Sequence, residues 1–185
     1  MASPGHFSGN PKTEWLSDPG KPDREMRLLE DLSFTDLDGR VWRAPKGSVI
    51  NGASIPRPLW ASTGSPYTDD YRNASVVHDV AYDDPNIPRK DADKMFFYAC
   101  IAGGCSILQA AKLYAGVRLG DWLSKVKKRL PFSRSMLLYR LPGQQDAQEA
   151  ELRAKYTLIA TEIDDRLNEE SSFEAVDALV ESRLK

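Results

Sequence analysis

Two cysteines and two histidines are all this 185-residue chain holds of the side chains that most often carry thiol, imidazole or zinc chemistry. Cys100 and Cys105 are too few for a disulfide framework, and the Ile-Ala-Gly-Gly between them is not a metal-knuckle spacing, so they read as buried thiols. No run approaches the roughly 20 apolar residues that a bilayer span needs. The opening "MASPGHFSGNPKTEW" lacks the basic-then-apolar order of a signal peptide. Aromatics make up only 9% of the residues and accompany no recognisable nucleic-acid motif, so nucleic acid is not expected as a partner.

Charge of one sign is missing overall but not locally. The formal net charge is −2. Residues 1–110 carry 12 Lys+Arg against 15 Asp+Glu, residues 111–145 carry 8 against 1, and residues 146–185 carry 5 against 11. A basic collar therefore precedes an acidic tail. With Trp122 among Lys125, Lys127, Lys128 and Arg129, the collar reads either as a patch for an anionic lipid surface or as a solubilising face.

The length suits one core domain with an appendage. Residues 1–24, rich in Pro, Gly and Ser, read as a flexible arm with no core of its own. From Arg27 to Pro56 apolar and polar residues alternate around an Asp-Gly pair, which predicts a hairpin of short strands. "NGASIPRPLWASTGSP" strings together Gly52, Pro56, Pro58, Gly64 and Pro66 and predicts a shaped loop. Ala74, Val77, His78 and Ala81 then fall on one helical face, extended by Tyr82. "DDPNIP" stops that helix. A second begins near Arg89, packs Ala92, Met95, Phe96 and Ala99, and ends at Gly103-Gly104, so the two form an antiparallel pair. A third helix is expected from Ser106 to Gly120. Leu152, Tyr156, Ile159, Ile163 and Leu167 recur at steps of four and three, with Phe173, Val176 and Val180 resuming the pattern. The expected fold is α+β and mainly helical: a small N-terminal β-hairpin or sheet on an antiparallel helix pair, then a long amphipathic helical tail. The corresponding division is an arm at 1–24, a core domain at 25–122, a basic connector at 123–145 and the tail at 146–185. The tail's stripe is expected to seek a second copy of the chain or another partner.

The chemistry concentrates on the helix pair. An inward-facing imidazole needs its nitrogens bonded, since an unpaired buried one costs roughly 1–3 kcal/mol. Asp93 lies at a distance from the turn comparable to that of His78, so the two can meet across the pair. A carboxylate on Nδ1 would raise the basicity of Nε2 and leave that nitrogen free to take a proton. The same pairing serves equally as a packing device in the core. Asp79, about 100° around the helix, would point to the preceding loop, where carbonyls could join it around a hard cation.

His78-Asp79-x-x-Tyr82, followed by Asp93 and Phe96, resembles the catalytic helix pair of secreted phospholipase A2 and its parvovirus capsid relatives. That resemblance implies His78 as the base that activates water, Asp93 orienting it with help from Tyr82, and Asp79 binding calcium with carbonyls of a glycine loop, here around Gly52 or Gly64. A broader likeness covers about residues 40–120. "WRAPKGSVINGASIPRPLW", "VVHDVAY", "RKDADKMF" and "YAGVRLG" resemble an uncharacterised family of phage and prophage proteins, with Ile50-Asn51 where that family commonly has Thr-Asp. Two readings follow. One is a phage or prophage protein, made in the host cytoplasm and associated with the virion, acting as a calcium-dependent hydrolase on a phospholipid or membrane surface. The other is a non-catalytic virion or assembly protein that self-associates or binds the virion through its C-terminal helix.

Overall fold

A computed structural model describes residues 4–17, 25–64, 70–129 and 144–185. Strict alternation in the first quarter of the chain produces strands with one buried face: β3 (Glu25–Leu28) buries Met26 and Leu28, β4 (Leu32–Thr35) buries Leu32 and Phe34, and β5 (Val41–Ala44) buries Trp42 and Ala44. The Asp-Gly turn closes β4 on β5 as expected. Gly39 takes the left-handed conformation (φ 78°), and Asp36 accepts the N–H groups of Asp38 and Arg40 on one oxygen and the Trp42 indole N–H on the other.

The arm is not coreless where it is described. β1 (His6–Phe7) pairs antiparallel with β4, and β2 (Thr13–Leu16) with β3, which itself pairs with β6 (Val49–Ile50). Two three-stranded sheets result, β1-β4-β5 and β2-β3-β6. Phe7 stacks on Phe34 with ring centroids 5.0 Å apart. Backbone pairing with strands already ordered by the core supplies what a Pro/Gly/Ser-rich composition cannot, so the expectation of a free arm fails for residues 4–17.

Helix α1 (Trp60–Thr63) follows a short 3-10 turn at Arg57–Leu59. The antiparallel pair is α2 (Arg72–Asp83) and α3 (Arg89–Gly103). α2 stops because Asp84 precedes Pro85 and is driven to extended geometry (φ −74°, ψ 115°). α3 stops at Gly104, whose left-handed conformation lets its N–H reach the Cys100 and Ile101 carbonyls. α2 is buried more widely than one stripe, Ser75, Val76 and Asp79 included, because it also packs against β4, β5 and β6.

Two expectations need correction. α4 runs from Ile107 to Arg129, straight through Gly120 and into the segment read as a connector. Gly120 does not end the helix; it is a seat. A Cβ there would collide with the Ser54 carbonyl, while one at Gly116 would sit 3.3 Å from Ile55. The glycines let the loop after β6 lie against α4, and that packing outweighs glycine's poor helix propensity. The rest of the basic collar, 130–143, lies outside the described residues, as does Pro66.

The tail also differs. Leu152, Tyr156, Ile159 and Ile163 of α5 (Gln144–Arg166) and Phe173, Val176, Leu179 and Val180 of α6 (Phe173–Leu184) are buried in the same core as the helix pair. They pack against α4 and the 3-10 turn, so the stripe finds its cover within its own chain. Periodicity shows that a face must be buried and leaves open by what.

Gly120→Ala is therefore expected to cost about 1–3 kcal/mol in chemical denaturation, with Gly116→Ala costing less. Deleting residues 144–185 should abolish the cooperative thermal transition of the whole chain. The apolar side chains lost, at about 1.5–3 kcal/mol each, outweigh the 5–15 kcal/mol typical of a domain. A truncated chain with an intact sharp transition would show the tail to be dispensable.

Candidate functional site

His78 sits in the middle of α2 and Asp93 in the second turn of α3, and the pair brings them together: His78 Nε2 lies 2.8 Å from Asp93 Oδ1. Both side chains are 0% exposed. The other Asp93 oxygen accepts from Nη1 of Arg118 at 3.0 Å. A guanidinium only donates, so it favours Asp93 as a pure acceptor, and the hydrogen in the 2.8 Å contact then belongs on Nε2. In the neutral ring this leaves Nδ1 as the bare nitrogen. Nδ1 is buried and has no hydrogen-bond partner among the described residues. The roles of the two nitrogens are thus exchanged relative to expectation, because which one faces the neighbouring helix depends on the ring's rotamer. Ser75 Oγ, one turn earlier on α2, is likewise buried without a partner among the described residues.

Behind Asp93 the array continues outward. Arg118 donates through Nε (3.0 Å) and Nη2 (2.6 Å) to Glu181 Oε1 of α6. Burial works against the Arg118 charge, but the bonds to Asp93 and Glu181 outweigh it and hold the guanidinium pKa above its ordinary value. Asp121 lies 3.6 Å from Arg118 Nη1 and is itself held by Lys125 at 2.6 Å and Arg89 at 3.2 Å. Burial pushes the Asp121 carboxyl up, but these cations win and its pKa is lowered. The array surfaces in a cleft of about 340 Å³ lined by Arg118, Asp121, Trp122, Lys125 and Glu181, with the end of α6 beside it. Beside the array, Tyr114 donates to Asp177 at 2.6 Å, and Lys90 holds the other oxygen of Asp177 at 2.8 Å.

Tyr82 touches His78 through its ring, centroids 5.4 Å apart, and carries the Arg89 guanidinium 4.5 Å above its face. Among the described residues its hydroxyl makes no bond to Asp93, the contact its expected orienting role would use. Asp79 does face the loop. What it meets there is the Asn51 N–H, 2.6 Å from Oδ2, and the Gly52 N–H. These are donors, the opposite polarity from the carbonyls a calcium ion requires. Gly64 ends α1, its N–H on the Trp60 carbonyl, and is not among the partners of Asp79. No group of three or more metal-ligating side chains occurs among the described residues. Gly52, at φ 94°, allows the turn that aims the two N–H groups at one carboxylate.

Arg118, Glu181 and Ser75 escaped the reading of the sequence. Arg118 carried a signal: it falls at i+7 on the apolar face Ala111, Tyr114, Ala115, and a lone cation in that position calls for a buried anion. Asp177 and Glu181 do the same on the face of α6 that starts at Phe173.

Burial pushes the Asp79 carboxyl up from 3.8 to about 6, against the pull of the Asn51 N–H. Its folded value exceeds its unfolded one, so the native state holds this proton the more tightly. The stability contributed by protonated Asp79 is full below about pH 3.8 and is lost as pH rises through about 6. The upper bound is roughly 3 kcal/mol at 1.36 kcal/mol per unit. Asp79→Asn, which still accepts the Asn51 N–H, should flatten that decline in thermal unfolding followed from pH 4 to 7. Parallel pH curves for the two proteins would show that Asp79 does not titrate there.

The curated relatives include two proteins of Sinorhizobium fredii. Uncharacterized protein y4jT is 32% identical over 125 residues, 66% of this chain and 37% of the relative. Uncharacterized protein y4iH is 32% identical over 99 residues, 54% of this chain and 41% of the relative. The chain thus spans well under half the length of these relatives. No solved structure matches it. Residues 26–117, which contain the loop, Asp79, His78 and Asp93, match the family described as "Protein of unknown function (DUF1353)", so this stretch of the chain is a DUF1353 domain.

Proposed function

We propose that this domain is a hydrolase of phage or prophage type, resembling phospholipase A2 in its helix pair, with His78 as the general base. The observation that carries the reading is the bare Nδ1 of His78, opposite an Nε2 committed to Asp93. A base needs one nitrogen held and one free, and burial without a partner costs roughly 1–3 kcal/mol unless a water or substrate atom fills the place. Ser75 Oγ, one turn earlier on the same helix, is also buried without a partner among the described residues. Nδ1 takes a proton from the water, the oxygen adds to an ester carbonyl, and the imidazolium, steadied by Asp93, returns the proton to the leaving alkoxide. No step is routed through calcium, because the N–H donors around Asp79 do not fit it. The ring is sealed, so substrate entry requires the packing around α2 to open. No helix among the described residues is long and apolar enough to cross a membrane, so a lipid substrate would be met at a surface.

One observation favours the other reading, a non-catalytic virion or assembly protein: His78 and Asp93 are wholly buried, as in a core-ordering pair. Hydrolysis of mixed phospholipid vesicles, with calcium and with chelator, separates the two. The hydrolase reading expects turnover by the unmodified chain that falls roughly 100- to 10,000-fold in His78→Ala. Absence of turnover from every phospholipid class, in protein that unfolds cooperatively, leaves only the structural role.

A further inference from the structure

We infer that Glu181, on the C-terminal helix and beyond the matched region 26–117, is a positioning residue for His78, acting through Arg118 and Asp93. The inference concerns the site just described and rests on the hydrolase reading only for its effect on turnover.

A guanidinium is a rigid plane with two donor edges. Glu181 Oε1 takes the edge formed by Nε and Nη2, at 3.0 and 2.6 Å, and so fixes the direction of Nη1. Nη1 has two anions within reach. It lies 3.0 Å from Asp93 Oδ2 and 3.6 Å from Asp121 Oδ2. Asp121 is already supplied by Lys125 and Arg89, whereas Arg118 is the single cation that the structure places on Asp93 among the described residues, apart from His78 itself when protonated. Glu181 therefore decides that Nη1 goes to the carboxylate that needs it. With Glu181 gone, the guanidinium is free to turn toward Asp121. Asp93 then loses the bond that fixes its plane, and the Nε2–H bond that fixes the imidazole loosens with it.

The anchoring of α6 does not depend on Glu181. Phe173, Val176 and Val180 are buried, Asp177 is held by Tyr114 and Lys90, and Arg183 bonds Glu162 on α5 at 2.6 Å. A change at Glu181 thus tests orientation and not docking. Its side chain is about one-third exposed at the cleft, so a substitution there leaves no buried hole.

The test uses the full chain labelled with ¹⁵N-histidine. His6→Gln serves as background, which leaves His78 as the one imidazole signal. Exchange of the Nε2–H with solvent is read in Glu181→Ala and Glu181→Gln. Charge-assisted bonds are about twice as strong as neutral ones, so the exchange should accelerate roughly tenfold in the alanine variant and by less in the glutamine variant, which keeps an acceptor. Arg118→Lys, which cannot serve both anions from a fixed plane, should match the alanine variant. Unchanged exchange at Glu181, or an acceleration shared equally by the backbone amides of α2 and α3, overturns the inference. If the unmodified chain hydrolyses nothing, the hydrolase reading fails while the exchange result still decides the role of Glu181.

Discussion

The buried carboxylate of Asp93 is the interaction on which the rest of the site depends. One oxygen faces the His78 ring and the other Arg118, so the carboxylate links an imidazole and a guanidinium inside the core. Remove the carboxylate, and the imidazole N–H loses the acceptor the structure gives it, while the guanidinium keeps Glu181 and has Asp121 within reach. A pair of this kind costs desolvation on each member, and its net stability can be near zero. What it provides is a fixed relation between three helices. α2 contributes the ring, α3 the carboxylate and α4 the cation, so any slip of one helix against another breaks a charged bond in the buried core.

The loop after β6 is placed by a second use of the same economy. Asp79 collects the backbone N–H groups of Asn51 and Gly52, and Gly116 and Gly120 clear a path for the Ser54 carbonyl, Ile55 and Pro56 along α4. Trp60 returns an indole N–H to the Ile55 carbonyl at 3.0 Å. Four separated stretches, "NGASIP", "VVHDVAY", "RKDADKMF" and "YAGVRLG", thus form a single assembly. Their likeness to one family is then a likeness of one packed unit and not of four motifs. Since burial raises the Asp79 carboxyl to about 6, the contact between loop and helix is coupled to proton concentration around that pH.

How far the sequence could be read depends on the range of each contact. The hairpin, the helix pair and the meeting of His78 with Asp93 were legible because strand alternation, helical period and a short turn are local rules. The choice of nitrogen was not, since the same backbone accepts either ring face. Arg118 and Glu181 were not either. They are separated in sequence by 63 positions and meet only because α5 folds back across α4. The tail's stripe was legible as a stripe, but an amphipathic face has the same pattern whether its cover is a second copy of the chain or its own α4. Gly120 misled for a related reason: local rules treat glycine as a helix end, and only the loop lying against it shows that the missing side chain is the point.

The outer shell bears on what kind of site this is. A histidine kept only for order would be best served by partners on both nitrogens, because a bare buried lone pair adds a cost and no cohesion. Here the side facing Asp93 is supported three residues deep, through Arg118 to Glu181, while Nδ1 on the other side is left without a partner among the described residues. That asymmetry is what general-base chemistry requires, since the supported nitrogen fixes the ring and the bare one keeps its lone pair for a proton. Complete burial pulls the other way, toward order. The two are reconciled if the site works only when opened: the closed core shields the bare Nδ1 from bulk solvent, and the array behind Asp93 keeps the ring's orientation while the packing around it gives way.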